Sequence, residues 1–457
     1  MFKTQERGLF FFCFQPQITM SLIHHQSSES IHAGLDLFSV CPTQTSIESG
    51  DYIEYLPLGN IEGATNIEFF VNQKNSTEYI DLSNSYLHMK VKVVNNDGTP
   101  LNDDAPVAPV NNFLHSFFSQ LDISLNNTLV TPSENTYAFR AYIENTLNYN
   151  SNAKKTQLSS EGYYRDDSHK FEDFSLKGDN SGFKQRAALA AKSQTIDLFG
   201  RLHSDLMNLS KYLLNGVDVK IRLVKSSEDF HLLDATPDVS YKTVLHKISL
   251  FVRKVKINPA VFLAHEKMLE RETAKYPLKR TTIKAFSVPA GHLSITKDNL
   301  FLTQLPTRII VGCVASEAFN GSYSKNPFNF KHENISYLSL FVDGRQIPAS
   351  PLTPNFVSKE YVRSYHRLFS ELGLANKNEG NYIHYRDFDG GNCFFVFDLS
   401  PCILDGNQCE LVKSGNLRLE LKFRAGLQEP IHVLVYGELD SIIEINKSRE
   451  VITDYTV

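Results

Sequence analysis

Two stretches about half a chain apart carry the same local design. Ser119–Val130 reads SQLDISLNNTLV, and Ser336–Ile347 reads SYLSLFVDGRQI. In each, apolar residues alternate up to a two-residue turn: Leu121, Ile123 and Leu125 before Asn126-Asn127, and Leu338, Leu340 and Val342 before Asp343-Gly344. Period-two alternation marks a half-buried strand, and both dipeptides suit the positive φ angles of a tight hairpin. A helix-like segment follows each hairpin, with Arg140-Ala141-Tyr142 in the first and Arg363-Ser364-Tyr365 in the second. A third pair comes later. Val217, Val219, Ile221 and Leu223 alternate with Asp218, Lys220 and Arg222, as Leu417, Leu419, Leu421 and Phe423 do with Arg418, Glu420 and Lys422. Asp343 follows Asn126 by 217 positions and Arg363 follows Arg140 by 223, so the spacing is kept to within six residues. Three matched elements in one order predict two copies of a β-rich domain in tandem. The candidate repeat residues are Asn126, Asn127, Arg140 and Tyr142, matched to Asp343, Gly344, Arg363 and Tyr365.

A chain of 457 residues can bury a core in each half. Its 32 Phe and 20 Tyr against no Trp favour strands and wide sandwich cores. Strand patterns begin near residue 50. Leu87, Met89, Val91 and Val93 alternate with His88, Lys90 and Lys92, and the Asn95–Asp104 stretch reads as a solvated hairpin. The expected fold is all-β: two tandem jelly-roll sandwiches with short helices in the connecting loops. Residues 1–45 are expected to form an N-terminal arm, 46–257 the first roll, 258–276 a linking helix and 277–457 the second roll. Asn258-Pro259 supplies an N-cap and a proline at the first helical position, predicting a helix to about Thr273 that Pro277 stops. The second copy is expected to close with two strands, Ile431–Gly437 and Ser441–Asn446. Residues 148–193, rich in Ser, Asn, Asp, Lys and Gly, are expected to be an exposed insertion. Deleting 150–190 should then leave both cores folded and impair assembly. A shorter counterpart runs near 373–392 and includes Asp389-Gly390-Gly391.

Net charge of −5 argues against nucleic-acid binding as the main task. The six cysteines form no CxxC, and Cys393, Cys402 and Cys409 read as buried free thiols in a reducing compartment. Sequons such as those at Asn75 and Asn320 carry little weight in an Asn-rich chain. The apolar run from Leu9 to Phe14 is too short to span a bilayer, so residues 1–19 are expected to lie outside the fold. His265-Glu266 lacks the second histidine of a zincin, since position 269 is leucine. His203-Ser204-Asp205 names three triad types, but adjacent side chains diverge. Asp387 and Asp389 read as loop solvation. No catalytic, cofactor or metal set emerges.

Longer segments resemble a known family. Tyr86–Val93 (YLHMKVKV), Pro109–Gln120 (PVNNFLHSFFSQ), Phe199–Asp205 (FGRLHSD), Leu305–Gly312 (LPTRIIVG) and Phe319–Phe328 (FNGSYSKNPF) are similar to the major capsid protein of Polinton (Maverick) elements and adintovirus-like viruses. The resemblance covers roughly residues 20 to 450. It implies a double jelly roll and homotrimers whose six rolls form a pseudo-hexagonal tile of an icosahedral shell. It also implies a single jelly-roll partner at the vertices, and assembly inside the host cell into a virion. No enzymatic role, transmembrane segment or sequence-specific nucleic-acid contact is implied. Two other classes would also explain the repeat: a tandem lectin-like binding module of a cellular protein, and a jelly-roll enzyme.

Overall fold

The computed structural model describes residues 23–28, 30–73, 77–237, 239–302, 304–402 and 409–455. The Leu9–Phe14 run, Cys13 and Asn75 fall outside them. The chain forms two units, residues 1–45 and 46–457. In the first, the described side chains are exposed and the regular element is a 3-10 turn at Ala33–Leu35.

The second unit holds two sandwiches. The first is built from β1 (Ile47–Tyr55), β2 (Asn66–Val71), β3 (Tyr79–Asn95), β4 (Phe118–Leu125), β5 (Thr128–Leu129), β6 (Ile196–Gly200), β7 (Val219–Lys225) and β8 (Tyr241–Ile257). The second comprises β9 (Ala274–Val288), β10 (Ser294–Lys297), β11 (Arg308–Ala315), β12 (Ile335–Val342), β13 (Arg345–Leu352), β14 (Phe395–Asp398), β15 (Leu417–Phe423) and β16 (Ile431–Ile445). In the first roll the sheets run β1-β8-β3-β6 and β2-β7-β4-β5; in the second they run β9-β16-β11-β14 and β10-β15-β12-β13. Each order is the other shifted by eight strands, and both are jelly rolls.

Alternation decides which face each strand buries. Leu87, Met89, Val91 and Val93 are fully buried, with His88, Lys90 and Lys92 between them on the opposite face. Register is matched as well. Leu125, Ile123 and Leu121 face Val219, Ile221 and Leu223, just as Val342, Leu340 and Leu338 face Leu417, Leu419 and Leu421. The longer helices are α1 (Tyr137–Asn148), α2 (Ser181–Ala190), α3 (Pro259–Met268) and α4 (Val362–Ser370). Helices α1 and α4 occupy the same place, between the fifth and sixth strands of their rolls.

Several expectations need correction. Residues 148–193 are not surface decoration. Leu158, Tyr163, Phe174 and Phe183 from this stretch share one buried apolar cluster with Phe328, Phe330, Phe388 and Phe394 of the second roll. The polar composition hid this because the buried charges are paired, as Arg186 is with Asp166 at 2.7 Å. Helix α3 starts under the Asn258 cap but ends at Met268, and β9 begins at Ala274. Pro277 lies inside β9, an edge strand, where the missing N–H costs no ladder bond. Gly437 does not break β16. A Cβ there would stand 2.5 Å from Phe301, so this glycine makes room for a ring. Cys313 and Cys393 are buried thiols, whereas Cys402 and Cys409 are exposed. Asp387 is buried and ion-paired with Arg165, not solvated, and Asp389 faces His169 at 3.4 Å.

Candidate functional site

Helix α1 is the spine of the seam between the rolls. Each residue from Tyr137 to Leu147 is buried. A soluble helix with no exposed face must be covered on all sides, and here the second roll covers one of them. The Tyr142 ring stacks on Phe328 at 4.2 Å between centroids, and Phe139 stacks on Phe319 at 5.2 Å. A polar side of the same helix carries Arg140 and Glu144, four residues apart. Arg140 Nε donates to Glu144 Oε1 at 2.8 Å and its Nη2 donates to Asp205 at 2.6 Å. The second roll closes this network. The Thr281 amide donates to Asp205 at 3.1 Å, and the Tyr436 hydroxyl donates to Glu144 at 3.3 Å. Burial pushes the Glu144 carboxyl up, but Arg140 and His203 outweigh it and hold its pKa at about 2.

The 148–193 insertion also fastens the seam. Lys154 Nζ donates to the carbonyls of Thr146 and Asn381, each at 2.5 Å. Arg165 pairs with Asp387 and lies 4.5 Å over the Tyr382 ring. Asn326 Nδ2 donates to Asp166 at 3.2 Å and to the Phe171 carbonyl at 3.1 Å. Gly390 and Gly391 form the floor on which the insertion lands. Cβ atoms there would stand 2.0 Å from Ser168 Oγ and 2.4 Å from Phe171. The Asp389-Gly390-Gly391 stretch is therefore a docking surface, not a spare loop.

The sequence-matched residues fall into two groups. At the turns the geometry coincides. Asn126 and Asn127 have φ of 45° and 70°, and Asp343 and Gly344 have 48° and 81°. The Asn126 amide donates to the Asp218 carbonyl, whose own amide donates to Asn126 Oδ1. Asp343 and Asn416 exchange the same two bonds. On the helices the environments diverge. Arg140 is buried among carboxylates, while Arg363 is exposed and donates to the carbonyls of Ser350 and Pro351. Tyr142 stacks at the seam, whereas the Tyr365 hydroxyl donates to the Ile383 carbonyl at 2.9 Å. His203 and Asp205 turn to different partners, Glu144 and Arg140, so no relay forms.

A second surface stands out on the first roll. On the outer face of β1-β8-β3-β6, Tyr52, Tyr86, His88, Phe199 and Phe251 form a chain of rings with centroids 5.2 to 6.2 Å apart. Tyr52 is 53% exposed and Phe199 40%. The corresponding face of the second roll, on β9-β16-β11-β14, is covered by α1 through Tyr436. Sequence reading missed this patch because Tyr52, Tyr86, Phe199 and Phe251 lie on four different strands, and only sheet order brings them together. It missed the Arg140–Glu144–Asp205 network because Asp205 sits in the loop after β6, 65 residues from Arg140, and only folding brings it to the helix.

No family model matches the chain. A Caenorhabditis elegans protein, named uncharacterized protein F54H12.2, is 28% identical over 428 residues, which cover 91% of this chain and 99% of that protein. Among solved structures, a chain of the Sputnik virophage superposes with a TM-score of 0.62 at 12% identity, over 96% of this chain and 95% of that one. The mavirus major capsid protein gives 0.55 at 11% identity, over 96% and 97% of the two chains. The Faustovirus major capsid protein gives 0.56 at 9%, over 90% and 92%. The chain thus has the double jelly-roll fold of these viral structures.

Proposed function

We propose that this chain is a major capsid protein: a structural subunit, not an enzyme, whose homotrimers tile an icosahedral shell. One observation carries the reading. Helix α1 is sealed against the outer sheet face of the second roll, whereas its counterpart α4 leaves Val362, Arg363 and His366 exposed. The sheet face equivalent to the one that α1 covers is the exposed aromatic patch around Phe199. A half-contact and its complement thus stand open on one molecule. They are satisfied when α4 of one chain lies on the patch of the next, and a heterologous contact of this kind closes into a ring. Three such chains give six rolls with like seams, the tile that a shell requires.

The capsid folds of mavirus and Faustovirus support this assignment. The segments Tyr86–Val93, Pro109–Gln120 and Phe319–Phe328 support the narrower placement among Polinton and adintovirus-like capsids, with a single jelly-roll partner at the vertices. On this reading residues 46–257 and 277–457 descend from one duplicated roll joined through 258–276, with 1–45 as an arm. The two turns and the Arg140/Arg363 and Tyr142/Tyr365 pairs are its vestiges. The free Cys313 and Cys393 thiols fit assembly in a reducing compartment.

Light scattering after gel filtration tests the proposal. The wild-type protein is expected to run as a trimer, and Phe199→Asp as a monomer with unchanged circular dichroism. A wild-type monomer at micromolar concentration would sink the assembly claim, and a trimer indifferent to Phe199→Asp would sink the patch.

A further inference from the structure

Beneath α1, three side chains from separate segments converge: His115 after β3, Glu161 from the insertion, and His203 after β6. All three are buried, and one ligand atom from each lies within 4.8 Å of the others. His115 Nε2 stands 3.3 Å from Glu161 Oε2, the separation expected of two ligands each about 2 Å from a tetrahedral ion. The remaining nitrogens are already held. His115 Nδ1 is 2.9 Å from the Tyr137 hydroxyl, and His203 Nδ1 is 2.6 Å from Glu144 Oε2. Asn145 Nδ2 donates to Glu161 Oε2 at 3.0 Å. For His203, a proton on Nδ1 shared with the Glu144 carboxylate leaves Nε2 with its lone pair free, and a proton from His115 Nδ1 to the Tyr137 hydroxyl leaves its Nε2 free in the same way. Metal-binding histidines are commonly oriented this way.

Charge points the same way. Within this hydrogen-bonded network the carboxylates of Glu144, Glu161 and Asp205 meet one guanidinium, Arg140. A buried excess of negative charge is costly without a counter-ion. A cavity of ≈ 820 Å³ borders His203, Glu144 and Asp205, so it reaches the cluster on its His203 side.

We propose that His115, Glu161 and His203 bind one divalent first-row cation, zinc by preference, through two imidazole ligands and one carboxylate with water in the fourth position. Nitrogen and oxygen donors with a fourth position open suit zinc better than calcium or magnesium. The ion would tie the insertion to the floor of the first roll and, through Glu144 and Tyr436, set the seam.

The full-length protein, expressed with zinc and purified without chelator, is expected to hold about one zinc per chain by mass spectrometry of the metal. Cobalt(II) added after chelator treatment should give the intense visible d–d bands of a low-coordinate site, without thiolate charge-transfer bands. Glu161→Gln and His203→Gln should each lower the zinc content about tenfold or more. The double variant C402S/C409S, which removes exposed thiols, should leave it unchanged. Circular dichroism separates loss of metal from loss of fold. Should the variants not fold, the wild-type decides: less than about a tenth of a zinc per chain, with no rise in melting temperature on adding zinc, overturns the proposal. Zinc retained by folded Glu161→Gln and His203→Gln overturns it too, as does zinc lost with the cysteines.

Discussion

Lys154 shows how a polar residue can be a core residue. Burial pushes its pKa down to about 7, with the Arg165 charge adding to the effect. Released from the fold it titrates near 10.5. Between those values the unfolded chain binds more protons than the folded one, so stability rises with pH through that window. It is lost again as the pH falls through about 7. Lys154→Met is therefore expected to flatten the rise, as urea titrations between neutral and alkaline pH would reveal. Arg140 is the stricter case. Arg140→Ala strands Glu144 and Asp205 in the seam, and breaking a buried pair in this way costs about 3–5 kcal/mol, measurable by denaturant unfolding. Neither role was legible in the sequence. Lysine in a polar stretch reads as solvated, and an arginine reads as surface, until the carbonyls and carboxylates around them are placed.

Among the elements, hairpins were the easiest to read and the insertion the hardest. Asn126-Asn127 and Asp343-Gly344 announce their turns through local backbone chemistry alone, which is why the flanking strands and their register were within reach. The 148–193 stretch obeys no such local rule. Its few apolar residues, among them Phe174 and Phe183, are dispersed among charges that satisfy each other only after folding. Deleting 150–190 is accordingly expected to strip the second roll's core of its cover and to abolish cooperative unfolding, seen as loss of near-ultraviolet circular dichroism. The same logic applies to the landing floor. Gly391 has a φ of 117° and no room for a side chain beside Phe171. Gly391→Val should destabilise by about 1–3 kcal/mol from overpacking, with added backbone strain. Hydrogen exchange should quicken across 165–171 while the β-sheets stay protected.

For the whole molecule, two like domains in one order could be read from three matched pairs of segments. Which of their faces is covered could not, because that depends on what lies beside each roll rather than on the roll itself. The aromatic patch and α4 belong to this scale. If they meet across chains, α4 sets Val362, Arg363 and His366 against a patch made mostly of aromatic rings, so moderate salt should weaken trimers only slightly. Sedimentation at low and high ionic strength would check this.

Because α1 meets its receiving face within a single polypeptide, that junction forms at any dilution. In the proposed assembly the matching junction between molecules is bimolecular, so it has to wait for neighbours to accumulate. Such subunits would mature singly and commit to a lattice only once synthesis has raised their number, a timing set by abundance alone.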